Sequence, residues 1–162
     1  METYLNKLGY DFLTIRIKLP RKLEKIIESQ FILHNDCIII NGLYGHTENP
    51  NLETDLEKCE WEYNETHFHV DMYYKNKKEE IEYLKLALEC AKRISDKLNN
   101  EFENRKFRIT VSFSETLIKD EEIEFYGSGV VRFNQIRTSC ENAMRIADLN
   151  DYKLDAVLEI EN

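Results

Sequence analysis

His67, His69 and Asp71 occupy alternate positions in the run His67-Phe68-His69-Val70-Asp71, and they are the residues of this chain best suited to chemistry. On a strand, residues two apart point the same way, so neighbouring imidazoles can grip one divalent metal. With such a metal bound, the expected activity is hydrolysis of a phosphate-containing substrate. His34, His46 or a carboxylate from a neighbouring strand would complete the ligand set. The competing reading makes His67, His69, Asp71 and Tyr73 the polar face of a strand whose other face, Phe68, Val70, Met72 and Tyr74, is core.

Paired carboxylates are the second feature: Glu60 with Glu62, Glu122 with Glu124, and Glu159 with Glu161. Aligned on adjacent strands they would converge, either on divalent cations beside a phosphate or as a mimic of nucleic-acid charge. Alternating acids are also the ordinary solvent face of an antiparallel sheet. The run from His67 to Asp71 resembles the H-x-H-x-D-H motif of metallo-β-lactamase-type hydrolases, but Met72 stands at the final histidine and no histidine follows His69. Glu60 and Glu62 are similar to the start of the E-x-E-x-K strand of triphosphate tunnel enzymes, with Asn64 in the place of the lysine. Neither resemblance extends far enough to carry its family's activity over. The chain contains no G-x-S-x-G elbow, P-loop or G-x-G-x-x-G fingerprint. Arg16, Lys18, Arg21, Lys22 and Lys25, with Arg132 and Arg137 later, suit either a phosphorylated ligand or simple balance of an acidic surface.

These residues need elements to hold them. Two alternating runs, 59–63 and 67–74, read as strands joined at Asn64-Glu65-Thr66. Residues 77–103 carry apolar side chains at spacings of three and four, from Ile81 to Phe102, and predict one long amphipathic helix behind an Asn76/Glu79 capping box. Alternation predicts further strands at 12–19, 107–114 and toward the end, where Leu154, Ala156, Leu158 and Ile160 share a face. Residues 37–40 are apolar on both faces and suit a central strand. Pro20 predicts the first turn of a short helix with Leu23, Ile26 and Ile27 inward. Gly127-Ser128-Gly129 predicts a hairpin between strands 121–126 and 130–136, and Thr138 with Glu141 predicts a second short helix. Residues 42–55 break all periodicity and form a candidate functional loop. The expected class is α+β: a mostly antiparallel sheet of about six to eight strands, packed against one long helix, with two shorter helices.

At 162 residues with 42% hydrophobic content, the chain predicts a single globular domain over 1–162. Asp and Glu outnumber Lys and Arg by 31 to 22, for a net charge of -9. That field repels phosphate backbones and anionic lipid and favours basic partners, so nucleic acid and membrane are disfavoured. No secretory signal or spanning segment is present, which points to the cytoplasm. Cys37, Cys59, Cys90 and Cys140 form no C-x-x-C pair and read as free, partly buried thiols. The leading expectation is a non-enzymatic acidic domain without cofactor that neutralises a basic protein partner, as immunity proteins, antitoxins and anti-defence inhibitors do. Glu60, Glu62, Glu122 and Glu124 would steer association, and Trp61, Tyr63 and Tyr44 would anchor it. The alternatives are the metal-dependent hydrolase at His67, His69 and Asp71, and a ligand-binding module with a pocket between sheet and helix. A homo-oligomer is compatible with each.

Overall fold

In the computed structural model, residues 2–5, 16–43, 51–74, 81–116, 126–151 and 156–162 are described. In chain order the elements are β1 (Glu2–Leu5), α1 (Arg21–Glu28), β2 (Phe31–His34), β3 (Cys37–Ile40), α2 (Asp55–Glu65), β4 (Phe68–His69), α3 (Val70–Tyr73), α4 (Ile81–Glu101), β5 (Lys106–Thr116), β6 (Tyr126–Ile136) and β7 (Ala156–Glu161). The class is α+β, with every described pairing antiparallel. The strands do not form the single sheet expected: they divide into a five-stranded sheet, order β1-β7-β5-β6-β4, and a separate β2-β3 hairpin.

Helix α4 follows from its apolar spacing. Leu84, Ala87, Leu88, Ala91, Ile94 and Leu98 face one way and share a core with Phe107, Ile109, Val111 and Phe113 of β5, Val131 and Phe133 of β6, and Leu158 and Ile160 of β7. Leu23, Ile26 and Ile27 of α1 join the same core, as expected behind Pro20. The hairpin turns at Asn35 and Asp36, both with positive φ, in the two-residue form whose twist matches its strands. It meets the main core through Phe31, whose ring lies 5.7 Å from Phe102 and 5.9 Å from Phe133, edge to face. Such pairs add about 0.5–1.5 kcal/mol each beyond the area they bury. Residues 37–40 are therefore buried as expected, but in this hairpin and not at the centre of the main sheet.

Four local expectations are corrected. Residues 59–63 are helical because Thr54 caps α2: its hydroxyl accepts from Glu57 N at 3.2 Å, and the Glu57 carboxylate accepts from Thr54 N at 2.8 Å. Cys59, Glu62 and Thr66 are buried, a helical rather than a two-residue spacing. Residues 67–74 pair with β6 only at Phe68 and His69, after which α3 ends the alternation: Val70 is buried as Phe68 is, but Met72 is 68% exposed. Gly127-Ser128-Gly129 makes no turn and runs inside β6, with no glycine at positive φ among the described residues. Gly129 is needed for closeness, since a Cβ there would lie 2.7 Å from the Tyr83 carbonyl oxygen of α4. The short helix expected after Thr138 is one 3₁₀ turn, Thr138–Cys140. The chain beyond is held irregular by Arg108, which donates to the Glu141 and Ala143 carbonyls at 2.9 and 2.6 Å.

Residues 16–19 of the expected first strand carry no regular structure. Residues 12–15, the Asn76/Glu79 cap, residues 44–50 of loop 42–55 and the expected strand 121–126 short of Tyr126 lie outside the described residues.

Candidate functional site

Pairing of β4 with β6 sets His69 opposite Val130 and brings Ser128 under the histidine. Ser128 Oγ donates to Asp71 Oδ1 at 2.8 Å and lies 2.8 Å from His69 Nδ1. With the single hydroxyl proton directed at the carboxylate, His69 Nδ1 is assigned the proton that completes the second bond. His67 lies beside it, ring centroids 4.9 Å apart. Burial on its inner side, then the Arg132 charge, then His69 hold the His67 imidazole below its ordinary titration range. His69 and Asp71 thus meet on a serine, with His67 beside His69 alone. His69 Nδ1 and Asp71 Oδ1 both face one hydroxyl, and no group of His, Cys, Asp or Glu among the described residues is arranged to hold a metal. Nor is this a nucleophilic triad, which needs the carboxylate on the imidazole; His69 and Asp71 stand 3.9 Å apart. His34 packs on Trp61 at 5.6 Å, and His46 lies outside the described residues.

Among the described residues, Glu60 and Glu62 of α2 do not converge with Glu159 and Glu161 of β7. Glu62, expected on an outward face, is fully buried, and its carboxylate accepts from Ile38 N, Gln135 N and Arg137 Nη1 at 2.8 Å and from Arg137 Nη2 at 3.1 Å. Burial opposes the charge on Arg137, but the bonds and charge of Glu62 more than reverse this and raise its titration. One carboxylate thereby ties α2 to β3 and β6. A lone glutamate in a short acidic run gives no sign of this, because its partner is 75 residues away. Glu161 pairs with Arg108 at 2.7 Å. Glu159 accepts from Ile146 N at 3.0 Å, and burial pushes its carboxyl above the ordinary range. Glu122, Glu124 and Tyr44 lie outside the described residues.

With Glu62 turned inward, α2 presents an acidic outer side. Glu53, Leu56, Glu57, Glu60 and Asn64 are exposed, Leu56 to 47%. Amide bonds from Thr54, its hydroxyl and the Glu53 amide hold the Glu57 carboxyl below the usual range, so it stays charged. Trp61 is half-buried against His34, and Tyr63 lies under Arg132, 4.6 Å from ring centroid to guanidinium carbon. Of the expected encounter residues, Glu60, Trp61 and Tyr63 therefore sit together on α2.

A family model described as "Uncharacterized protein PM0498 family" matches residues 1–162. The chain belongs to that family. No curated protein and no solved structure matches this PM0498-family chain. No helix among its described residues is long and apolar enough to cross a membrane. Among the described residues, α4 and the sheet pack on each other in one core. A cavity of about 520 Å³ lies on the sheet's other side, lined by Asn142, Arg145, Asp148 and Glu159 among others.

Proposed function

We propose that this chain is a non-enzymatic binding domain of the immunity, antitoxin or inhibitor type, which captures a basic protein partner in the cytoplasm through the outer side of α2. The observation that carries the reading is the combination of exposed Leu56, Glu57 and Glu60 on one helix, with exposed Glu53 just before its cap, while the helix's inner side is clamped by Glu62 and Arg137. Charges at the rim raise encounter rates with a positive surface, while an apolar side chain among them supplies short-range affinity. The net charge of -9 adds a field of the same sign. Because the clamp fixes the helix before contact, little ordering cost falls on binding.

The test is affinity capture with the wild type and with Leu56→Ser/Glu60→Lys in parallel, followed by titration of the captured partner at low and high salt. Glu57 is left intact because it caps the helix. The expected partner is basic, binds more weakly as salt rises, and loses at least about tenfold in affinity to the double substitution. Binding indifferent to both salt and substitution would overturn the reading.

A further inference from the structure

Four thiols are free in this structure, and two of them nearly touch. Cys59 of α2 and Cys140, at the end of the 3₁₀ turn, have sulfurs 3.3 Å apart across 81 residues of sequence. Contacts on either side hold the pair in register. Arg137 bonds Glu62 one turn further along α2, and Ser139 Oγ donates to Asp55 at the start of α2. Arg137 Nη1 also lies 3.4 Å from Cys59 Sγ, with the Cys37 sulfur 4.0 Å from Nη2. The two sulfurs differ in access: Cys59 is fully buried and Cys140 is partly exposed.

We propose that Cys59 and Cys140 form a peroxide-reactive site, with Cys140 the attacked thiol and Cys59 the thiol that resolves it into a reversible disulfide. The Cys140 thiolate attacks one peroxide oxygen and the O–O bond breaks. The departing hydroxide takes up the thiol's proton as water, leaving Cys140 as a sulfenic acid. Cys59 Sγ then attacks Cys140 Sγ, the S–O bond breaks, and the hydroxyl leaves with the Cys59 proton as a second water. Two thiols are oxidised by two electrons, and one peroxide is reduced to two waters. The sulfurs need to approach from 3.3 Å to about 2.05 Å, a shift the exposed 3₁₀ turn can supply. Burial pushes the Cys59 thiol up to about 11 in spite of Arg137, so the buried sulfur keeps its proton while the partly exposed Cys140 is the one that peroxide can reach.

The experiment treats the full chain with a small excess of hydrogen peroxide, denatures and alkylates it, counts free thiols and maps its peptides by mass spectrometry. The expected result is loss of two of the four thiols, a mass lower by about 2 Da, one Cys59–Cys140 linked peptide within a single chain, and full reversal by dithiothreitol. Cys140→Ser should slow the loss of the Cys59 thiol by at least about tenfold, whereas Cys90→Ser should behave as the wild type. Retention of all four thiols, linkage through other cysteines or between chains, or over-oxidation of Cys140 without linkage would each overturn the proposal. The peptide map uses the wild type, so the outcome does not depend on a variant folding.

Discussion

Replacing Glu62 by alanine is expected to be the most damaging single change on α2. Four hydrogen bonds end on this carboxylate, and its cationic partner Arg137 has a side chain only 4% exposed. Glu62→Ala leaves the guanidinium buried and uncompensated, a loss of about 3–5 kcal/mol where one member of a buried pair is removed. For a domain of this size each kcal/mol shifts the melting temperature by about 2–4 °C, so a fall of about 6–20 °C is expected. Thermal unfolding followed by circular dichroism, with a urea titration at unchanged slope, measures it. Glu62→Leu combined with Arg137→Met removes both charges and should recover only part of the loss. The Ile38 and Gln135 amides would still lack an acceptor, at about 1–3 kcal/mol each. A Glu62→Ala protein melting within about 2 °C of the wild type would refute the assignment of Glu62 as the clamp of α2.

Gly129→Ala should cost about 1–3 kcal/mol, because the new methyl meets the Tyr83 carbonyl, which belongs to a helix backbone and cannot step aside; an unchanged melting temperature counts against that close approach. Glu159 titrates above its ordinary 4.5 in the folded state, chiefly through burial, so its favourable contribution is complete below that value and is lost as pH rises through the folded one. Glu159→Gln should therefore raise the melting temperature at neutral pH and flatten its decline above pH 4.5; curves that stay parallel to the wild type rule this out. His67 is displaced the other way. Its contribution is present above 6.5 and lost as pH falls toward the depressed folded value, so an NMR titration midpoint at or above 6.5 would contradict the packing of His67 against Arg132 and His69.

Legibility in the sequence followed how local the deciding contact is. Helix α4 and strands β5 and β7 announce themselves because one face of each is continuously apolar, from Leu84 to Leu98 and from Phe107 to Phe113. Arg108 and Glu159, on the opposite face of those strands, are buried because the segment after β6 folds over the sheet's second face, which no period within a strand can signal. For 59–63 the deciding feature was legible in principle: Thr54-x-x-Glu57 is the same capping pattern that marks helix starts elsewhere, and it outweighs the alternation of Cys59, Trp61 and Tyr63. Gly129 shows the converse, with turn chemistry overridden by a helix that must come close. At the candidate site the sequence placed His67, His69 and Asp71 on one strand face, whereas the strand ends at His69 and Asp71 reaches His69 through Ser128, 59 residues from His69, which no local spacing can supply.

The placing of β7 between β1 and β5 bears on how the chain is made. While a ribosome has synthesised the protein only as far as Asp151, β1 lacks its partner among the described residues, and the backbone of β5 from Arg108 to Phe113 is unpaired along one edge. The sheet can close only after residues 156–162 emerge from the exit tunnel, and until then it carries an unpaired strand edge of the kind that promotes aggregation.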